Sequence, residues 1–180
     1  MGIKLTTYGQ SSGCTLSNNI IKNNIVIGAS EYTLYCNNGG DNDGVWGSGN
    51  VYENNSFGVE SDNFISWDRT DFDTYADWES AYGSPTHSIE GDPQIAGTTV
   101  DALYLTEDSP CRDSGADLGP AFENALLETS TWVTLVETSD QDLHGSGWEV
   151  GAFLFTGRSP HLFADGFETG DTSEWTETVH

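Results

Sequence analysis

A motif that returns at a fixed interval constrains this chain more than any other feature. Asn19-Ile20-Ile21-Lys22-Asn23-Asn24 aligns without gaps on Asn50-Val51-Tyr52-Glu53-Asn54-Asn55, and at the same offset Val26 and Phe57 supply a further apolar position. Internal periods of about 20–50 residues are the mark of solenoids, in which each repeat is one unit stacked on the next. In each copy a short β-branched or aromatic run reads as a strand, and the paired asparagines that follow tolerate the left-handed conformation of a tight corner. Asparagines at equivalent corners of stacked coils can also hydrogen-bond along the stack, satisfying backbone groups that a turn would otherwise orphan.

The intervening sequence fits this frame. Glu31 to Cys36 alternates as a half-buried strand should, residues 37–44 are a loop by composition, and Asn63-Phe64-Ile65-Ser66-Trp67 reads as another strand. Phe72 to Tyr82 has helix-like apolar spacing and predicts a short helix or packed turn before Gly83, and Pro120 to Leu127, with proline near its start, is the other helix candidate. The remainder reads as strands and loops, so the expectation is a mostly β chain.

Charge bounds the partners. Five Lys and Arg stand against 29 Asp and Glu, a formal net charge of -24. That field repels phosphate backbones and anionic lipid, and it favours cations and neutral partners such as glycans. The expectation is therefore no nucleic acid, no membrane insertion and a possible polysaccharide ligand. Aromatic residues make up 12% of the chain, including six Trp, which is enough to build a core. With 180 residues there is room for one domain and a short appendage. Cys14, Cys36 and Cys111 form no metal or redox spacing; in an oxidising compartment Cys14 and Cys36 could pair, leaving Cys111 as a small buried hydrophobe. No membrane-spanning apolar run occurs, and Met1-Gly2-Ile3-Lys4 does not lead into a signal-peptide apolar region. This predicts either a missing start or a naturally occurring fragment.

From Trp78 onward the order of motifs resembles the closing region of bacterial right-handed parallel β-helix proteins, the pectate-lyase-like superfamily. A tryptophan segment (Trp78 to Tyr82) is followed by His87-Ser88-Ile89-Glu90-Gly91-Asp92-Pro93-Gln94-Ile95. Next come Leu105 through Ser109-Pro110-Cys111-Arg112-Asp113-Ser114-Gly115, and finally Glu149-Val150-Gly151-Ala152-Phe153-Leu154-Phe155. The resemblance covers roughly residues 15–156 and departs from the family pattern at Glu149, where Asp is usual. It implies a short right-handed parallel β-helix of two to three coils over residues 1–77, a closing region over 78–157 and an acidic tail over 158–180. Physically, Asp-Pro and Ser-Pro stop one strand and aim the next, Gly115 supplies a positive-φ corner, and Val150, Phe153 and Phe155 cover an open coil end. The stretch Asp165-Gly166-Phe167-Glu168 with Gly170-Asp171 and Trp175 is similar to acidic segments near the ends of secreted bacterial proteins. A secreted or cell-surface location of bacterial type follows as an expectation.

The chemistry-bearing residues are fewer. A lyase of this resemblance needs calcium, Arg or Lys to neutralise a substrate carboxylate, together with a base. The chain offers only Lys4, Lys22, Arg69, Arg112 and Arg158; Arg112 sits inside the turn motif, Arg158 lies beyond the cap, and Arg69 is expected to pair with its acidic neighbours. Hydrolysis by paired carboxylates would draw on Asp68, Asp71, Asp73 and Asp77, the densest local group of acids, with Trp67, Tyr75 and Trp78 as faces for sugar rings. No cofactor is required; calcium is the plausible ion, with Asp41 and Asp43 in the loop and Asp165, Glu168 and Asp171 in the tail as its ligands. The leading expectation is an extracellular, non-catalytic β-helix segment that engages glycans or proteins. Its rivals are part of a polysaccharide-degrading lyase or glycoside hydrolase with its main catalytic coils upstream, and a structural module that forms a homo-oligomer through the open end of the solenoid.

Overall fold

The computed structural model describes residues 1–6, 15–37, 45–46, 49–99, 102–131 and 134–157. Within them the protein is mostly β, with parallel pairing through the first half and one short α-helix. Strand β1 (Ile3–Thr6) pairs parallel with β4 (Leu34–Asn37), Ile3 opposite Leu34, and β4 pairs parallel with β7 (Ile65–Trp67), Leu34 opposite Ile65. A second ladder joins β3 (Ile20–Lys22) to β6 (Val51–Glu53), Ile20 opposite Val51, and an isolated parallel bridge sets Ile25 opposite Ser56. A third joins β2 (Thr15–Leu16) to β5 (Val45–Trp46). Outside this last pair, the parallel partners of the first half share one separation of 31 residues, that between Asn19 and Asn50 in the sequence motif.

The paired asparagines divide the labour. The first of each pair, Asn23 and Asn54, turns the corner at φ 55° and 51°. The second builds a column. Asn24 gives its backbone N–H and its Nδ2 to Asn55 Oδ1 at 3.1 and 2.9 Å, while Asn55 Nδ2 donates to the Ile21 carbonyl at 2.8 Å. Asn19 and Asn50 repeat the arrangement at 3.1 and 2.7 Å, and Asn50 Nδ2 donates to the Leu16 carbonyl at 3.0 Å. Side-chain amides thus satisfy the backbone groups that corners expose. Lys22 and Glu53, which face each other across the same ladder, pair at 2.6 Å on the surface.

Inside the stack the side chains form columns. Leu34, Cys36, Tyr52 and Phe57 are fully buried, beneath Ile65 and Trp67. One end of this core is covered by a hairpin and a helix. The turn Asp68-Arg69, both residues at positive φ, joins β7 to the antiparallel β8 (Thr70–Phe72), and a two-residue loop of this kind matches strand twist. Helix α1 (Tyr75–Tyr82) begins at Thr74, whose Oγ1 accepts from the Asp77 N–H, and stops at Gly83 in the left-handed region. This confirms the helix expected before Gly83. It buries Tyr75 and Trp78 against the core rings, so the helix, rather than Val150, Phe153 and Phe155, covers this core.

The second half packs along the flank of the stack. Asn23 exchanges two hydrogen bonds with Ala116, each 2.8 Å, and Asn54 Nδ2 donates to the Ser114 carbonyl at 2.9 Å. The motifs noted in the sequence interlock: Ser109 Oγ donates to the Pro93 carbonyl at 2.5 Å, and the Val150 N–H donates to the Cys111 carbonyl at 2.8 Å. Gly115 is not the positive-φ corner; Asp113 is, at 53°, and Gly115 is required because a Cβ there would strike the backbone of Trp148 and Glu149. The helix expected over Pro120–Leu127 is instead strand β9 (Asn124–Leu127). It pairs antiparallel with β10 (Thr138–Asp140) and parallel with β11 (Phe153–Leu154). Backbone partners on both sides outweigh a helix-like apolar pattern too short to stand alone.

Candidate functional site

The four aspartates singled out for hydrolysis do structural work. Asp68 occupies the hairpin turn. Asp71 Oδ2 accepts from the Tyr32 hydroxyl at 3.1 Å, Asp73 Oδ1 accepts from the Asn63 N–H at 2.8 Å, and Asp77 Oδ2 accepts from Thr74 Oγ1 at 2.9 Å. The aromatic residues expected to stack on sugars lie in the core. Trp78 and Tyr75 have no exposed surface and Trp67 retains 8%. The Trp78 ring stacks on Tyr82 at 5.9 Å and meets Phe57 edge-on at 5.6 Å, and Trp67 meets Tyr52 at 5.2 Å. The Tyr75 hydroxyl accepts from the Phe57 N–H at 2.8 Å and donates to the Gly58 carbonyl at 3.1 Å. Their faces are occupied by other protein groups, so none of the three offers a platform. The reason is directional: a strand and a helix that cover a coil end must point their largest rings inward.

Asp41, Asp43, Asp165, Glu168 and Asp171, the expected calcium ligands, lie outside the described residues, as does Cys14. Among the described residues no group of three or more His, Cys, Asp or Glu is arranged to share a metal ion. Cys36 is a free thiol in contact with the Tyr52 hydroxyl at 3.5 Å, and burial pushes it up to about 12. At that value it is a packing group rather than a nucleophile. Cys111 is likewise free and buried, at about 11.

Two acids, Glu128 and the Glu149 of the closing motif, are buried. Glu149 Oε2 accepts from the Asp113 N–H at 2.8 Å and Oε1 from the Phe155 N–H at 3.3 Å. Glu128 accepts from the Thr156 N–H at 3.1 Å. Arg112 stacks on the Phe155 ring at 3.8 Å and donates to the Glu107 carbonyl. Burial raises both carboxyls above the ordinary glutamate range, the backbone donors opposing it in part. A raised folded-state pKa favours the protonated form, so this contribution to stability is full below the unfolded pKa and is lost as pH rises through the folded one. Glu149→Gln, which cannot ionise, is therefore expected to gain in stability relative to the parent as pH rises from about 5 to 7.5. Denaturant midpoints at the two pH values check this; a difference independent of pH contradicts it.

Among the described residues a concave feature lies where the corner after β3 meets the closing strand β11. It is a groove of about 370 Å³ between Ile25 and Ile27 on one side and Ile95, Leu103, Gly151 and Phe153 on the other, with the Asn23 and Asn24 amides at its lining. Gly151, at φ 112°, lets the closing strand approach: its N–H donates to the Asn23 carbonyl at 2.9 Å, and a Cβ would come within 3.0 Å of the Ile25 side chain. Ile27 and Leu103 are each 40% exposed. Val26 packs into the core of the parallel ladders and Ile25 against Leu105, Cys111 and Val150, while Ile27 stays exposed. No family model, curated protein or solved structure matches the chain, so the groove is interpreted from its own geometry. Among the described residues no helix is long and apolar enough to cross a membrane.

Proposed function

We propose that this chain is a segment of a right-handed parallel β-helix that acts outside the cell as a non-catalytic binding and structural unit, with the groove beside Ile25 taking a neutral glycan. The observation that carries the reading is the way the acids are used: Asp73, Glu128 and Glu149 each hold a backbone amide, Asp77 holds a helix start and Asp71 holds the Tyr32 hydroxyl. The handedness rests on the strong general preference of parallel crossovers for the right-handed sense. A β-helix is also the natural way to continue parallel ladders that repeat at the interval of the asparagine motif. A groove of this size with apolar walls and amide groups suits the C–H face and hydroxyls of a pyranose, and the acidic surface selects against polyuronates.

Affinity electrophoresis against neutral and uronic-acid polysaccharides tests the reading. Retention by a neutral glycan is expected, weakened at least tenfold by Leu103→Asp with the melting temperature kept, and with no new reducing ends. Binding indifferent to Leu103→Asp, or reducing ends lost in Asp71→Asn and Asp73→Asn, would replace it with another site or with a hydrolase.

A further inference from the structure

The groove beside Ile25 is poorer in hydrogen-bonding groups than its two asparagines suggest. Asn23 commits both ends of its amide to Ala116, Nδ2 donating to the carbonyl and Oδ1 accepting from the N–H, each at 2.8 Å. Asn24 Nδ2 donates to the Lys22 carbonyl at 2.7 Å and to Asn55 Oδ1 at 2.9 Å, which uses both of its hydrogens. The backbone at the lining is committed as well. The Asn23 carbonyl accepts from the Gly151 N–H at 2.9 Å, the Asn24 carbonyl from the Ser56 N–H at 2.8 Å, and the Ala152 carbonyl from the Leu126 N–H at 2.9 Å. Among the described residues that line the groove, none is charged.

The remaining lining is chiefly aliphatic. Ile27 and Leu103, each 40% exposed, face a ligand from opposite walls, whereas the ring of Phe153 shows only 8% of its surface. A pyranose seated here meets branched aliphatic side chains and little aromatic face. Each ligand hydroxyl pressed against such a wall leaves water without a replacement partner, while a methyl group gains from the same move. With most of the amide capacity spent, the groove can meet a ring hydroxyl or two, but not the full set of a hexose. An acetyl group would also bring a methyl, yet its carbonyl needs a donor, and the Asn24 hydrogens are both in use.

We infer that the groove selects a deoxyhexose residue of the neutral glycan, one whose exocyclic hydroxymethyl is replaced by methyl, with that methyl seated between Ile27 and Leu103. The inference rests on the glycan reading above and narrows it to a chemical class. An uncharged lining leaves a uronate carboxylate or a sulfate ester without a counter-charge, which agrees with a neutral ligand. The ring hydroxyls on the far side of the sugar stay in water, so only the group that differs between a hexose and its deoxy form is desolvated.

Matched methyl glycosides are the test: the D-quinovoside against the D-glucoside, and the L-fucoside against the L-galactoside, which differ within each pair by one oxygen atom. Backbone amide shifts of residues 25–27 and 151–153 in isotopically labelled protein report binding at this groove. In at least one pair the deoxy sugar is expected to bind about tenfold more tightly, a discrimination within reach of an apolar pocket facing one extra hydroxyl. Leu103→Gln brings a donor and an acceptor to an exposed wall and is expected to cut that preference below about threefold, with the melting temperature kept. Equal affinities within both pairs overturn the inference and leave the neutral-glycan reading in place. Hexanol bound as tightly as the deoxy sugars overturns it too, making the groove a site for alkyl chains. No shift at the groove, in a protein that a neutral polysaccharide still retains, overturns it by moving the glycan elsewhere. Loss of retention by every neutral polysaccharide removes the underlying reading as well.

Discussion

Trp78→Ala is expected to be the most damaging single substitution in the described residues, lowering stability by about 4 kcal/mol. Trp78 is fully buried and touches the rings of Tyr52, Phe57, Trp67 and Tyr82 within 6.3 Å between centroids. Removing it opens a cavity between helix α1 and the coil end, where the surrounding rings cannot collapse to fill the space. For a chain of this size the loss corresponds to a fall in melting temperature of roughly 8–16 °C. Trp78→Phe should cost far less than its lost volume suggests. The Trp78 indole N–H is buried without a partner among the described residues, and phenylalanine removes that unsatisfied donor along with part of the ring. Thermal melts of both variants check the pair. A Trp78→Ala variant that melts like the parent but loses glycan binding would return Trp78 to the role of a sugar platform.

Asn55→Ala is expected to cost about 3 kcal/mol, although it deletes only a small polar side chain. The residue is almost fully buried, and its amide accepts from Asn24 twice and donates to the Ile21 carbonyl. Alanine leaves the Asn24 N–H and the Ile21 carbonyl unpaired between coils, where little water can reach them. Asn50→Ala, in the less buried column, should cost about half as much, because solvent can take over its partners. Denaturant midpoints at neutral pH measure both. Equal, small losses would mean that the asparagine columns decorate the stack without holding it.

These two residues also show what can be read from the sequence and what cannot. Asn55 is legible because a corner has a local signature, and the constant offset between two such corners places them in register before any coordinates. The capping helix is legible for a related reason: its apolar spacing and the stop at Gly83 are local, whereas its start at Thr74 emerges only in the structure. Trp78 stands out in the sequence but its role does not, since a tryptophan beside aspartates reads the same whether its ring faces a sugar or a core. Only burial distinguishes them. The strand at Asn124–Leu127 reads as a helix because its identity depends on β10 and β11, which come later in the chain and set its backbone partners. Glu149 stands in the closing motif, but neither it nor Glu128 is legible as a buried acid, since among 29 acids the loss of water is set by segments distant in the chain. The groove needs segments far apart in the chain, around Ile25, Leu103 and Gly151, and none is distinctive alone.

The account depends on parallel strands that meet at a constant separation in sequence. Backbone nuclear Overhauser contacts in an isotopically labelled sample test this directly. The structure places Ile3 against Leu34, Leu34 against Ile65, and Ile21 against Tyr52, so contacts should cluster at one and the same sequence separation in all three pairs. Contacts whose separations shrink steadily towards a turn, as antiparallel hairpins through residues 15–67 would give, contradict it.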